Sequence, residues 1–298
     1  VFEPPAGMER VMIGLLYESG EWSDYKLAAE LAEAGCDVRM IDMAHLRADA
    51  AAEAAGSCDA LVSRVFASAV FRGHDAAHEA MRLVCETAEA RGIPMINPAR
   101  AHFFEIDKRR ATEELARADV DVPRVQACGL PSGLDPAGWS YPCIIKPNCG
   151  GRTTFTAVAR TAEEALSFLE TAPQIVFVVE DYIAPERGFI TRVELVDGAV
   201  ALIVKRSVVK GGLSAYHLGS RYGLYPECAE EIRAAAVLAG RALGIGFGSF
   251  DIIENGGRAY VIDANSVSNV SPDNTETIGG FDLMREYAQA IVKRERRG

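Results

Sequence analysis

The chain has 298 residues, enough for two or three packed units with a sizeable core, which excludes a peptide or a lone small module. With 27 Gly, 13 Pro and 49% hydrophobic residues, the composition is that of an ordinary globular protein, neither collagen-like nor disordered. A net charge of -11 repels phosphate backbones and anionic membranes, so neither nucleic acid nor a membrane is expected as a partner.

Seven cysteines without a C-x-x-C pair or regular spacing point to a reducing, cytoplasmic setting rather than to disulfides or a zinc site. The longest apolar runs are strand-sized, far below the ~20 residues of a membrane span. The start, Val1-Phe2-Glu3-Pro4-Pro5, has neither the basic end nor the apolar core of a secretory signal and reads as a loose tail. Val11 to Tyr17 then reads as a strand, followed by a helix with Leu27, Ala28, Leu31 and Ala34 on one face and Gly35 as its stop. Strands at Val38 to Ile41, Ala60 to Ser63 and Pro94 to Asn97, with a long helix from Ala76 to Arg91, predict a small parallel sheet in a first unit, residues 1–98.

A helix from about Asp107 to Ala118 opens a second unit, residues 99–184, of α+β character. Its strands Cys143 to Lys146 and Thr154 to Ala159 pair, a capping box at Thr161 and Glu164 starts a helix, and Ile175 to Ile183 is a further strand. The third unit, residues 185–298, holds two hairpins: Phe189 to Val196 with Ala199 to Arg206 around Asp197-Gly198, and Gly248 to Glu254 with Arg258 to Asp263. Helices near 228–243 and 281–294 are expected to cover that antiparallel sheet.

The second hairpin carries the most informative carboxylates. In a regular register Asp251 faces Val261, and Asp263 is its diagonal neighbour at roughly 7–8 Å, with Asn265 further along the same face. Three hard oxygen donors in an apolar setting suit Mg²⁺ together with substrate phosphates; solvated aspartates at strand ends are the alternative. On the first hairpin, pairing Val196 with Ala199 puts Arg192 and Lys205 on one face and turns Arg206 away, which calls for an anion between the two cations or a salt bridge to Glu194. The stretch Pro147-Asn148-Cys149-Gly150-Gly151-Arg152-Thr153-Thr154 offers backbone amides, a cation and hydroxyls to a phosphate, although a Gly-Gly turn alone is weak. The pair His74 and His78 lacks a third ligand, and Gly244-x-Gly246-x-Gly248 follows a helix instead of preceding one, so zinc and dinucleotide readings are declined.

Taken in order, these pieces resemble the ATP-grasp superfamily, in particular its RimK-like branch of carboxylate-amine ligases. The resemblance covers most of the chain and implies an α/β fold in three parts: an N-terminal parallel α/β unit, a small α+β lid and a C-terminal antiparallel sheet unit. It implies ATP held by Lys108, Lys146, the loop Gly150-Gly151 and the hinge Glu180-Asp181-Tyr182-Ile183, and Mg²⁺, with Mn²⁺ as a substitute, on Asp251, Asp263 and Asn265. Arg192, Arg206 and Lys205 are the implied catalytic cations. Two departures stand out: Asp263 replaces the usual Glu, and Ile190 replaces the aspartate of an Asp-x-Arg pattern, which makes Glu186 a candidate for the lost sugar contact.

The implied reaction is ATP-dependent amide or peptide bond formation between small-molecule or peptide carboxylate and amine substrates through an acyl phosphate. A small-molecule kinase and a nucleotide-binding regulator are the alternatives. A homo-oligomer, dimer or tetramer, is expected. The segment Gly211 to Arg221 matches no substrate motif; Tyr216, His217 and Arg221 make it a candidate substrate loop, a solvated connection being the alternative.

Overall fold

The computed structural model describes residues 10–209, 211–214 and 219–295. Its first sheet is parallel, in the order β2-β1-β3-β4, from β1 (Met12–Tyr17), β2 (Asp37–Asp42), β3 (Ala60–Arg64) and β4 (Met95–Ile96). Helices cover both faces, so the central strand β1 buries Ile13, Gly14, Leu15 and Leu16 as one continuous run without alternation. On one face lies α1 (Trp22–Glu33); on the other pack α2 (Ala48–Ala55) and α3 (Ala76–Arg91), through Ala51, Ala55, Ala77, Ala80 and Met81.

Two antiparallel sheets follow. One has the order β5-β8-β6-β7, from β5 (Val125–Gly129), β6 (Cys143–Pro147), β7 (Ala157–Ala159) and β8 (Phe177–Asp181), backed by α6 (Ala162–Thr171). The side chain of Thr161 caps α6 by accepting from Glu164 N, as the capping box predicts. The other has the order β11-β10-β9-β12-β13, from β9 (Phe189–Val196), β10 (Ala199–Ser207), β11 (Tyr222–Leu224), β12 (Gly248–Asn255) and β13 (Arg258–Asn265). Against it pack α7 (Glu230–Leu243) and the connecting helices α4 (Ala99–Glu105) and α5 (Lys108–Arg117), which bury Ala101, Ala111 and Leu115 with Ile232, Ala236 and Phe250 in one core.

The last helices depart from expectation. After the short α8 (Pro272–Thr277), α9 (Leu283–Glu295) was expected over the antiparallel sheet. Instead it completes the core of the first sheet: Leu283, Met284, Tyr287 and Ile291 pack with Ile13, Leu15, Leu27, Leu31 and Val62. Its apolar stripe fits any flat apolar face, and α1 leaves one beside it. Among the described residues no helix is long and apolar enough to cross a membrane.

Candidate active site

A cavity of about 790 Å³ lies between the two antiparallel sheets, and Phe66, Ala67 and Ser68 of the first unit close one end. Its polar groups come from strands whose partners fix them in register. Arg192 on β9 pairs across to Asp251 on β12, which pairs across to Asp263 on β13. The Asp251 carboxylate accepts from Arg192 Nε at 2.8 Å and Nη2 at 3.1 Å, and from Arg206 Nη2 at 2.8 Å. Burial opposes its charge, but the two guanidinium groups outweigh that and hold the carboxyl well below the usual carboxylate range.

Two bulges correct the expected registers. An extra residue near Ala201 shifts the first hairpin by one, so Val204 pairs with Arg192 and Lys205 with Thr191. A one-residue shift exchanges faces. Arg206 therefore joins Arg192 at Asp251, and Lys205 turns away to lie 5.8 and 5.6 Å from the ring centroids of Phe189 and Tyr225. In the second hairpin a shift near Ile262 sets Asp263 directly opposite Asp251, where a diagonal relation was expected. Glu194 makes its hydrogen bond with Ser268, and burial pushes its carboxyl up to about 7 against the pull of Arg192.

Both lysines of interest point into the cavity. Lys108 Nζ donates to Asp263 Oδ1 at 2.5 Å; burial opposes its charge, yet Asp263, Glu105 and Glu180 hold the ammonium above its ordinary range. Lys146 Nζ donates to Ile262 O at 3.0 Å and pairs with Glu180 Oε2 at 2.8 Å, while Glu180 Oε1 accepts from Thr112. The hinge residues Glu180, Asp181, Tyr182 and Ile183 line the cavity with Ile144, Ile190 and Ile253, whose three side chains make an apolar slot. Gly150 and Gly151 line it too. At Gly150, with φ +149, a Cβ would run into the Phe71 ring, so the close approach of loop and first unit requires glycine.

Other expectations are corrected. Glu186 accepts from Gly256 N at 3.0 Å, is exposed, and does not line the cavity, because the chain turns there to begin β9. Arg221 is exposed outside the cavity; its backbone pairs with Ser207. Tyr216 and His217 lie outside the described residues. Their segment does reach the site through Gly212, Leu213 and Ser214: Tyr182 Oη donates to Gly212 O and Arg206 Nε donates to Ser214 Oγ.

The sequence reading did not single out Glu105, Ser68 or Asn269. Glu105 accepts from Ala67 N at 3.1 Å and Ser266 N at 2.7 Å, joining first and third units at the cavity wall. Asn269 belongs to Ser266-Val267-Ser268-Asn269-Val270-Ser271, a mainly polar run following Asp263-Ala264-Asn265 that was the available signal. The declined motifs have other partners: His74 Nδ1 meets Glu18 at 2.8 Å, His78 stacks with His102 at a ring separation of 5.4 Å, and Gly244 caps α7 with φ +76.

Among the described residues no three His, Cys, Asp or Glu side chains are arranged to hold a metal by themselves. The donor set is instead two carboxylates and an amide. Asp251, Asp263 and Asn265 line one wall, and the buried Asn265 amide has a nitrogen without a hydrogen-bond partner. The two carboxylates and the Asn265 amide oxygen are hard oxygen donors and fit Mg²⁺, which takes one or two carboxylates and completes its shell from water and phosphate.

A family model described as the RimK-like ATP-grasp domain matches residues 106–291. A probable alpha-L-glutamate ligase of Hydrogenovibrio crunogenus is 25% identical over 91% of this chain and 92% of its own length. The chain spans 45% of the length of a probable alpha-L-glutamate ligase of Desulfotalea psychrophila, also 25% identical. Among solved structures, a RimK domain ATP-grasp protein from Sphaerobacter thermophilus superposes with a TM-score of 0.70 at 21% identity, covering 94% of this chain and 98% of that one. A D-alanine–D-alanine ligase from Bacillus anthracis complexed with ATP superposes with a TM-score of 0.68 at 17% identity, covering 97% and 99%.

Proposed function

This chain belongs to the RimK-like ATP-grasp family, and on that premise we propose that it is an ATP-dependent carboxylate-amine ligase that forms an amide or peptide bond and releases ADP and phosphate. The observation that carries the reading is the convergence of Lys108, Lys146, Arg192 and Arg206 with Asp251, Asp263 and Asn265 on one cavity beside an apolar slot. The adenine ring belongs in the slot, its edge on the backbone of the hinge at Glu180 to Ile183. The nucleotide phosphates then meet Lys146 and Lys108, and the Gly150-Gly151 amides close over them.

Mg²⁺ on Asp263, Asn265 and Asp251 would supply charge neutralisation at the phosphates. The chain's own cations do the remaining electrostatic work. Arg192 and Arg206 are pre-oriented by Asp251, so no reorganisation is needed when a substrate carboxylate attacks the γ-phosphorus and negative charge spreads over the transferring oxygens. The carboxyl oxygen gains the phosphoryl group, ADP leaves, and the resulting acyl phosphate is attacked by an amine that expels phosphate. The glycine loop must exclude water meanwhile, because hydrolysis would return the free acid and consume ATP.

The test is to incubate the purified chain with ATP, Mg²⁺ and pooled carboxylates, with and without pooled amines, and follow phosphate release and product masses. A ligase gives an amide whose mass is the sum of acid and amine less water, and only when both are present. A stable phosphate ester formed without any amine would replace this reading with a kinase.

A further inference from the structure

The mouth of the cavity, beyond the groups assigned to ATP, is built around one ion pair. Arg152 of the glycine loop donates from Nη2 to Glu21 Oε1, and Asn269 Nδ2 donates to the other oxygen, Oε2, at 2.8 Å. Arg152 and Asn269 line the cavity, whereas Glu21 stands behind them. Each keeps donors in reserve: among the described residues the Arg152 guanidinium uses one nitrogen, and the Asn269 amide has a second N–H. The support behind them is a closed circuit. Ser23 Oγ donates to Asn269 Oδ1 at 3.0 Å and accepts from Arg64 Nη2 at 2.6 Å; Arg64 also binds Asp24 at 2.8 Å and Ser268 O at 2.7 Å; and Asp24 accepts from Glu21 N at 3.0 Å. Arg64 and Asp24 are fully buried.

The backbone of the loop points the same way. Five described residues other than glycine have positive φ, and three of them, Arg152, Thr153 and Phe155, stand together here at +59°, +60° and +50°. Such conformations cost about 1–3 kcal/mol each and cluster at ligand clamps. Phe155 is fastened edge-on to Phe71 at 5.7 Å, which holds the loop over the first unit.

We propose that Arg152 and Asn269 form a subsite for the unreacted α-carboxylate of a free amino-acid substrate, with Glu21 as the positioning residue that aims both. The proposal rests on the ligase reading and names the class of one substrate. Two N–H groups of a guanidinium match a carboxylate in a planar fork, and the Asn269 N–H adds a third donor. Glu21, behind the cavity lining with one oxygen on Arg152 and the other on Asn269, aims these donors at the cavity, so what the subsite offers a substrate is hydrogen-bond donors for a carboxylate.

The test is calorimetric binding to the full chain with Mg²⁺ and a non-hydrolysable ATP analogue. Each of the common amino acids is titrated first; the tightest binder is then compared with the amine that lacks its α-carboxylate, in wild type, Arg152→Ala, Arg152→Lys and Glu21→Gln. Wild type should prefer the amino acid by about tenfold or more, as expected for a charge-assisted contact. Arg152→Ala should bring that preference to within about twofold, Arg152→Lys should restore part of it, and Glu21→Gln should reduce it several-fold, each preference being measured on protein saturated with the ATP analogue. An undiminished preference in Arg152→Ala overturns the subsite. So does a wild type that binds the ATP analogue but no amino acid. The ligase reading fails separately, by loss of amine-dependent phosphate release.

Discussion

Replacing Asp251 with asparagine keeps the shape of the side chain and removes the one charge that the half-buried Arg192 and the buried Arg206 share. In wild type three hydrogen bonds of 2.8–3.1 Å run from Arg192 and Arg206 to that carboxylate, which is 4% exposed. Breaking a buried pair by removing one partner costs about 3–5 kcal/mol, because the remaining charge is left uncompensated. Here two cations lose their partner but both line the cavity, so a value of about 3–5 kcal/mol is kept for the pair together. At roughly 2–4 °C per kcal/mol for a chain of this size, the Asp251→Asn variant should melt on the order of 10 °C lower. The lost stability should return in part with inorganic phosphate, an anion that can settle between the two arginines, and phosphate should raise the melting temperature of the variant more than that of wild type. Differential scanning calorimetry with and without phosphate measures both. The sign in pH follows from the depressed folded pKa: the contribution is complete above the unfolded value of 3.8 and is lost only as pH falls through the lower folded value. A variant that melts within a degree or two of wild type at neutral pH, with no added response to phosphate, would refute the idea that Asp251 is the neutralising centre.

Asp263→Ala should fold normally and lose ATP turnover, since it removes a cavity-wall carboxylate without opening a core; circular dichroism and phosphate release check it. Lys146→Ala should weaken binding of an ATP analogue by about tenfold in calorimetry and leave a folded protein that melts lower, because the buried Glu180 carboxylate loses its ion-pair partner. Arg221→Ala should leave the KM of every substrate within about twofold, because its side chain faces solvent away from the cavity. Glu194 has a folded pKa raised by burial to about 7 from 4.5, so its unfavourable effect on folding is absent below pH 4.5, grows between those values and is constant above. Glu194→Gln should flatten the stability profile in that window and gain up to roughly 3 kcal/mol at pH 8, read by urea denaturation at several pH values.

The parts of the fold that were legible in the sequence are those with contrast along the chain. β1, α3, α6 and the two hairpin turns carry their own period or punctuation, and the order of carboxylates and lysines was enough to suggest the three-part arrangement. Ala48–Ala55, by contrast, is almost uniformly alanine and shows no apolar face to read, although it packs closely on α3. The faces of β10 were illegible for a related reason. Ala199 to Val204 is apolar at every position, so nothing in it signals the extra residue near Ala201 that brings Arg206 in and sends Lys205 out. Glu186 stands near the hinge in sequence yet is spent on a turn, which only the path of the chain decides. The Glu21, Arg152 and Asn269 cluster joins three distant segments, and no local pattern in any one of them announces the other two.

The position of α9 governs the order in which the molecule can be assembled on the ribosome. The first sheet is complete in its strands once residue 96 has been made, but one flank of its core stays bare until Leu283, Met284, Tyr287 and Ile291 emerge. During synthesis the opening unit is therefore a partly finished layer with apolar surface on show, the kind of species that chaperones retain and that associates wrongly with its neighbours. The two antiparallel sheets close most of their cores with α6 and α7, and only a small cluster at Leu202 and Val204 waits for Ile278. A helix made after both antiparallel sheets is thus the one that finishes the first unit and, through it, the wall carrying Ser68 at the cavity.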